Sequence, residues 1–105
     1  MASLKSKVFQ NITTTKMTIH TVPGTILNSK ISEIIFANKT VGDVNYFMFI
    51  KKADGTEVTV LPESLLHANE SHYISTSTFL TAGDSVLVQS SADNAIDVML
   101  SYVEL

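Results

Sequence analysis

The chain has 105 residues, the size of one domain, and leaves little room for a second hydrophobic core. Its formal net charge is −3, and its seven basic residues are all lysines. Arginine, which makes bidentate contacts to phosphate and guanine, is absent, so we expect no nucleic-acid partner. Charged residues make up only 16% of the chain, so its twelve serines and twelve threonines must cover much of the surface. This composition favours strands and turns.

Three classes of feature are missing from the sequence. The absence of cysteine excludes disulfides and thiolate metal sites. No run approaches the ~20 apolar residues of a membrane span, so we expect no membrane association. The first ten residues, MASLKSKVFQ, lack the apolar stretch of a signal peptide, and we expect a soluble domain made in the cytosol.

In the first half of the chain, β-rich runs alternate with turn residues about every ten residues. Strands are predicted over residues 7–12, 16–22, 26–38 and 44–52. The segment Val22-Pro23-Gly24-Thr25 predicts a type II turn, with positive φ at Gly24. In the third strand, Ile34 and Phe36 fall on one face and Ile31 mainly on the other. A helix also fits this spacing, but the β-branched residues favour a strand.

The fourth predicted strand is the strongest and has apolar residues on both faces. Val44, Tyr46, Met48 and Ile50 share one face, and Phe47 and Phe49 share the other. Such a strand is central in a sandwich, or one of its faces is covered by another subunit. The pair Asp54-Gly55 predicts a hairpin that leads to a return strand over residues 57–61.

The second half of the chain predicts short strands around residues 65–66 and 72–75, joined by a turn at residues 68–70. The last two strands, 85–91 and 96–105, follow the turn residues Gly83-Asp84 and Asp93-Asn94; in the final strand Ile96, Val98, Leu100 and Tyr102 share a face. Seven to nine short strands without a long helix predict an all-β, single-domain antiparallel β-sandwich over residues 1–105, of jelly-roll or immunoglobulin-like topology. Residues 1–7, polar and without turn signals, are a candidate flexible or partner-binding arm.

No set of residues has the spacing of a catalytic or cofactor site, so we expect a non-enzymatic protein without a cofactor. His67, Glu70 and His72 are a local group of candidate metal ligands, but they lack the helical zinc spacing. We favour polar residues beside a solvated turn and assign no metal. The sequence has no G-x-S-x-G elbow for a nucleophilic serine. Asp84 and Asp93 are interpreted as turn residues that accept hydrogen bonds from the backbone amides of their own turns, not as paired acids or calcium ligands.

Aromatic residues exceed what the core of one thin sandwich needs on a single face. Phenylalanine and tyrosine provide large contact area at little entropic cost, which makes them suited to protein–protein interfaces. The candidate interface residues are Tyr46, Phe47, Phe49, Tyr73 and Phe79. A two-sided core that takes up all of these rings is the alternative.

Several short motifs follow one another along most of the chain. They are Val22-Pro23-Gly24-Thr25, the run KISEIIFANKT at residues 30–40, Asp54-Gly55, L-x-A-G-D-x-V-x-V at residues 80–88, and the ending S-Y-x-E-L. Their order resembles that of small all-β structural proteins of tailed bacteriophage particles. The resemblance implies a non-enzymatic virion protein, in the first place a capsid decoration (cement) protein that binds the phage shell. A tail, neck or fibre component is the alternative.

In such proteins the function is binding, and the resemblance implies no catalytic residues. The implied partners are the chain itself, as a homo-oligomer with a trimer favoured over a dimer, and the major capsid protein or other virion proteins. The implied location is the virion, after synthesis in the bacterial host cytoplasm. A low-charge sandwich with excess apolar strand faces agrees with oligomerisation. A carbohydrate-binding β-sandwich module is a further alternative, but such modules normally expose tryptophan or tyrosine platforms, and the chain has no tryptophan.

Overall fold

The structure is a computed structural model that describes residues 3 to 104. These residues form eight β-strands, which confirms the all-β prediction. The strands are β1 (Ser3–Phe9), β2 (Met17–Thr21), β3 (Asn28–Asn38), β4 (Val44–Lys51), β5 (Glu57–Leu66), β6 (Ser71–Thr81), β7 (Ser85–Ser90) and β8 (Ile96–Glu104). Between residues 3 and 104 there is no helix long and apolar enough to cross a membrane.

The strands form two four-stranded antiparallel sheets. Sheet A has the order β1-β8-β3-β6, and sheet B has the order β2-β7-β4-β5. The chain changes sheet at every connection except the β4–β5 hairpin. This is the double Greek key of a jelly roll; an immunoglobulin-like sandwich instead pairs its first two strands in one sheet. The strand order therefore decides between the two topologies that the sequence left open.

The hydrophobic core lies between the two sheets. The alternation predicted in β4 and β8 is confirmed, since their inward residues are all buried: Val44, Tyr46, Met48, Ile50, Ile96, Val98, Leu100 and Tyr102. The rings of Phe36 on β3 and Tyr46 on β4 stack with their centroids 4.1 Å apart. Each large apolar side chain buried here stabilises the fold by roughly 1.5–3 kcal/mol.

A bulge in β3 changes which of its residues share a face. Ile31 and Ile34 are three residues apart, so strict alternation places them on opposite faces, and that prediction is wrong. The register of β3 against β8 shifts between Ile31 and Glu33, which leaves Ser32 as an extra residue. Because of this extra residue, Ile31 and Ile34 are both fully buried in the core.

The turn before β3 also differs from the prediction. Among the described residues, the glycines with positive φ are Gly55 and Gly83, so Gly24 does not form a type II turn. The amide of Ile26 donates instead to the carbonyl of Pro23 at 3.0 Å, and the turn lies one residue later than predicted. The hairpin predicted at Gly55 is present; the φ of this glycine is 94°, as its turn requires.

Strands β5 and β6 are longer than predicted. β5 continues from Glu57 to Leu66 through Pro62, where the sequence predicted two separate strands. Proline is tolerated there because β5 is an edge strand, where one side of the backbone needs no partner. The predicted turn between β5 and β6 is present, with a hydrogen bond of 3.1 Å from the Glu70 amide to the His67 carbonyl.

Residues 3 to 7, part of the candidate flexible arm, are paired in the structure. They begin β1, which lies in register with β8 from Ser3 opposite Glu104 to Phe9 opposite Val98. Lys5 contributes to this pairing, since its Nζ lies 2.5 Å from Oε1 of Glu104. A flexible arm is therefore wrong for residues 3–7, and partner binding by this segment stays a prediction. Met1 and Ala2, the rest of the arm, lie outside the described residues.

Candidate assembly surface

On the outer face of sheet A, which points away from sheet B, three rows of side chains cross all four strands. Residues directly opposite on neighbouring strands point to the same side of a sheet, so each row is a set of cross-strand partners. One row is Val8, Met99, Ile35 and Tyr73; a second is Leu4, Val103, Lys30 and Phe79; and the row between them is Ser6, Ser101, Glu33 and Ser75. We call these three rows the A face. It consists of two largely apolar rows on either side of a polar one.

The apolar side chains of the A face are exposed. The exposed fraction is 80% for Leu4, 68% for Tyr73, 66% for Val8 and 59% for Phe79. A shallow groove between β1 and β8 is lined by Leu4, Ser6, Met99 and Ser101 of this face, together with Lys5. Exposed apolar side chains grouped in two rows on one face make that face a candidate interaction site.

Two charged residues lie on the A face, and their charges cancel. Lys30 and Glu33 are each half-buried on β3. Neither takes part in an ion pair with any of the residues from 3 to 104. A face with so little charge is easily removed from water, because few ionic groups lose their hydration.

The outer face of sheet B, which we call the B face, also carries aromatic residues. The rings of Phe47 and Phe49 stack with their centroids 6.3 Å apart. Lys16, from the loop before β2, places its Nζ 4.2 Å from the centroid of the Phe49 ring and forms an ion pair with Glu57. As a result Phe49 is only 7% exposed. The Lys16 side chain thus covers the Phe49 ring.

The five predicted interface residues fall in different environments. Tyr46 is in the core, where its ring stacks on Phe36, so its prediction as an interface residue is wrong. Phe49 is buried on the B face beneath the Lys16 side chain, and the prediction is wrong for it too; Phe47 beside it is half-buried. Tyr73 and Phe79 are exposed on the A face, and their place in an interface stays a prediction.

The residues of β1 and β8 on the A face were not identified from the sequence as interface candidates. Leu4 belonged to the candidate arm, and Met99 was placed on the side of the last strand away from the core. A signal was present in the pattern Leu4-Lys5-Ser6-Lys7-Val8. Its three uncharged residues alternate with two lysines, which is typical of a strand whose two faces differ.

His20 on β2 is a titratable side chain that is buried inside the sandwich. Its Nδ1 lies 3.1 Å from Nζ of Lys7, and its Nε2 lies 3.3 Å from Oγ of Ser29. Burial, and after it the charge of Lys7, lower the pKa of His20 to about 4, so the ring is neutral at pH 7. Lys7 donates to Nδ1, and Nε2–H therefore donates to Ser29. A general base would instead accept the serine proton. Since Ser29 is fully buried, this pair is structural.

The candidate metal ligands His67, Glu70 and His72 do not converge. Nδ1 of His67 lies 3.4 Å from Oδ1 of Asp43, on a different loop. Nε2 of His72 lies 3.3 Å from Oε1 of Glu70, and its Nδ1 is 2.9 Å from the Tyr46 hydroxyl. Over residues 3 to 104, no group of three or more His, Cys, Asp or Glu side chains is arranged to hold a metal ion.

Asp84 and Asp93 lie at opposite ends of β7, where each accepts backbone hydrogen bonds. The Asp84 carboxylate, 1% exposed, accepts from the amides of Thr81 and Ala53 at 2.9 and 3.0 Å and pairs with Lys52 at 2.5 Å. Burial acts to raise the pKa of Asp84, but Lys52 and the two amides outweigh it and hold the pKa below 3.8. Asp93 accepts from the Thr14 amide at 3.0 Å. The prediction of a hydrogen bond within its own turn is confirmed for Asp84, which accepts from Thr81. It is wrong for Asp93, whose donor Thr14 lies in a different loop.

The sequence matches no family model and no curated protein. Solved structures share its fold. The chain is similar to one in the T13 particle of infectious bursal disease virus, with a TM-score of 0.60, 9% identity, and coverage of 98% of this chain and 30% of that one. It is similar to a chain of the capsid of Helicobacter pylori bacteriophage KHP30, with a TM-score of 0.56, 12% identity, and coverage of 99% and 87%. It is also similar to Bacillus endospore appendages, described as disulfide-linked pili, with a TM-score of 0.59, 8% identity, and coverage of 98% and 87%.

These likenesses differ in how much of each relative they include. The chain spans only 30% of the length of the infectious bursal disease virus chain, but most of the phage and appendage chains. At such low identities they show the fold alone. The jelly roll of this chain is therefore one that virus capsids and spore pili also contain.

Proposed function

We propose that the protein is a non-enzymatic structural subunit of a virus particle and that it assembles through the A face. The observation that carries this proposal is the pair of exposed apolar rows on that face. Exposed apolar side chains that are grouped on one face favour association, because their burial removes apolar surface from water. The shared fold with viral capsid chains supports the same function.

Within the particle, we favour a capsid decoration or cement protein of a tailed phage, bound to the major capsid protein. The order of motifs along the sequence suggests this role. The likeness to a phage capsid chain of nearly the same length supports it. A protein with this role is found on the virion after synthesis in the bacterial host cytoplasm.

We expect the subunit to associate with copies of itself, as the sequence resemblance implies. The A face offers contact area without a net charge, so it suits a protein partner more than the phosphates of nucleic acid, which attract basic surfaces. Closed oligomers of identical subunits are the commonest assemblies of this kind. The sequence favoured a trimer over a dimer, and light scattering on the purified chain measures the number of copies.

The proposal is tested on particles of the virus that encodes the chain. Quantitative mass spectrometry of gradient-purified particles should find the chain in a fixed ratio to the major capsid protein. A cryo-EM map of the same particles should show a jelly roll on the outer surface of the shell. Absence of the chain from the particles would contradict a virion function.

A tail or fibre component is the second candidate, and the likeness to endospore pili favours it. Subunits that join head to tail without closing a ring form filaments. Negative-stain electron microscopy of the concentrated chain distinguishes the candidates. Regular filaments would support the fibre function, and discrete small oligomers would support the shell function.

A further inference from the structure

We propose that the free edge of β6 pairs antiparallel with β6 of a second copy of this chain. The two A sheets then join into one continuous eight-stranded sheet around a two-fold axis. The inference rests on the proposed assembly function, because it names the partner in self-association. It replaces the trimer that the sequence favoured with a dimer as the first contact between copies.

The first observation concerns protection of the sheet edges. The two sheets have four edge strands: β1 and β6 in sheet A, and β2 and β5 in sheet B. Proteins protect edge strands with short length, proline, bulges and inward-pointing charges. β2 has only five residues, and β5 contains Pro62 and two register shifts. β1 carries Lys5 and Lys7 opposite the core residues Tyr102 and Leu100.

β6 lacks most of these forms of protection. It has eleven residues, and its sequence, SHYISTSTFLT, contains no proline, lysine, aspartate or glutamate. Between the pairs Ile31–Thr78 and Glu33–Ser75, β6 has two residues where β3 has one, so β6 has one register shift. Exposed and less exposed residues nevertheless alternate along its whole length. Serine, threonine, tyrosine, isoleucine and phenylalanine fill the strand, and most of them favour β-structure. Its free side is therefore open to another strand.

The second observation is that the sequence of β6 allows it to pair with β6 of a second copy. If Ser71 lies opposite Thr81 of the second copy, all eleven residues pair and Thr76 lies at the two-fold axis. In this register outward residues meet outward residues, as a shared sheet requires. The two exposed rings of the strand then come together, because Tyr73 lies opposite Phe79 of the second copy and Phe79 opposite Tyr73. No like charges meet.

The third observation comes from the neighbouring edge strand. Phe36 stacks on Tyr46, so β3 lies over β4, and the next strands outward, β6 and β5, lie on the same side of the sandwich. Val58 on β5 is opposite the core residue Ile50 and so shares its inward side, yet it is 51% exposed. The sandwich is thus open along the β5–β6 side, and a second copy beside β6 closes it.

Cysteine cross-linking tests both the pairing and its register, because the chain contains no other cysteine. Ser75 lies opposite Ser77 of the second copy, so their Cβ atoms would be about 4.5–5.5 Å apart, within reach of a disulfide after a small adjustment. We expect a mixture of Ser75→Cys and Ser77→Cys chains to form disulfide dimers on mild oxidation. Each variant alone should form at least tenfold fewer disulfide dimers than the mixture. Thr59→Cys on the β5 edge, mixed with Ser77→Cys, is the matched control.

Three outcomes would contradict the proposed pairing in whole or in part. Cross-linking of the mixture at the level of the Thr59→Cys control would exclude this pairing. Equal cross-linking of each variant with itself would exclude this register. A three-fold oligomer without the Ser75–Ser77 cross-link would return the assembly to the trimer.

Charge variants give a second test that needs no oxidation. The double substitution Ser75→Lys and Ser77→Lys brings lysines opposite each other and should weaken dimerisation at least tenfold in sedimentation equilibrium. The matched double substitution Ser75→Lys and Ser77→Glu brings opposite charges together and should retain the dimer. Equal behaviour of the two variants would contradict the pairing, provided that circular dichroism shows both folded.

The edge pairing and the particle function can be contradicted independently of each other. The cross-linking uses purified chain in solution and does not depend on any particle. Loss of the cross-link from a chain that is nevertheless found on virions would remove the edge pairing alone. A chain that cross-links as expected but is absent from virions would remove the particle function alone.

Discussion

The two outer faces of the sandwich place aromatic residues in opposite surroundings. On the B face, Phe49 lies under Lys16 and is 7% exposed, whereas on the A face Tyr73 and Phe79 are each more than half exposed. Both faces belong to strands with apolar residues on their two sides. The difference comes from the loop before β2, which supplies Lys16 to the B face. An apolar outer residue therefore indicates an interface only where the chain itself leaves it uncovered.

The largest effect is expected on the B face. Phe49→Ala should lower the free energy of unfolding by about 3 kcal/mol, because it removes a buried ring and leaves a cavity beneath Lys16. Urea unfolding followed by circular dichroism measures this. Tyr73→Ala on the A face is the matched substitution, with an expected change below about 0.5 kcal/mol. Equal losses for the two variants would contradict the difference between the faces.

A change of pH tests how the buried His20 affects the stability of the fold. His20 has an ordinary pKa of 6.5 and a folded pKa of about 4, so the unfolded chain takes up a proton first as the pH falls. Stability is therefore full above pH 6.5 and should fall by roughly 2–3 kcal/mol as the pH reaches about 4. The contribution of Asp84, whose pKa lies below 3.8, is lost only in more acidic solution.

The His20→Gln variant identifies the source of this dependence. It should be less stable than the natural chain at pH 7, yet its urea midpoint should change little between pH 6.5 and 4.5. A pH dependence in the variant as steep as in the natural chain would show that other groups cause it.

A smaller effect is expected from removing the cover of the B face. Lys16→Ala deletes the cation over the Phe49 ring and the ion pair with Glu57. For a partly exposed lysine we expect a loss of about 0.5–1 kcal/mol in unfolding free energy. The same variant should expose Phe49 and increase binding of a hydrophobic dye. Unchanged dye binding would mean that Lys16 is not what covers the ring.

The smallest effect on stability, but a large one on association, is expected on the A face. Tyr73→Ser should change the free energy of unfolding by less than about 0.5 kcal/mol, because the ring is mostly exposed. Self-association should weaken about tenfold, since a ring that fills a contact is lost. Val41→Ser, at a loop residue that is 92% exposed, is the control. Equal association of the two variants would remove Tyr73 from the interface.

Local patterns were enough to predict much of the fold. The alternation in β4 and β8 identified their core faces, and Asp54-Gly55 identified the hairpin. Features that depend on neighbouring strands were not predictable in this way. The prediction ended a strand before Pro62. Proline is tolerated within β5 because β5 is an edge strand, and the sequence alone does not show the strand order. The bulge at Ser32 likewise arises from pairing with β8.

The candidate surface was only partly predictable for the same reason. Tyr73 and Phe79 were identified from their residue type, but so were Tyr46 and Phe49, which the fold buries. What separates the two pairs is tertiary: Tyr46 stacks on Phe36, and Phe49 lies beneath a lysine from another loop. No spacing within one strand carries that information.

Hydroxyl-radical footprinting of the chain in purified particles, compared with the isolated chain in dilute solution, measures directly which face is in contact. If the A face is the assembly surface, Met99, Tyr73 and Phe79 should lose most of their reactivity in the particle. Val41, on an exposed loop, should react equally in both states. Undiminished reactivity of Met99, Tyr73 and Phe79 in the particle, or protection confined to other surfaces, would contradict assembly through the A face.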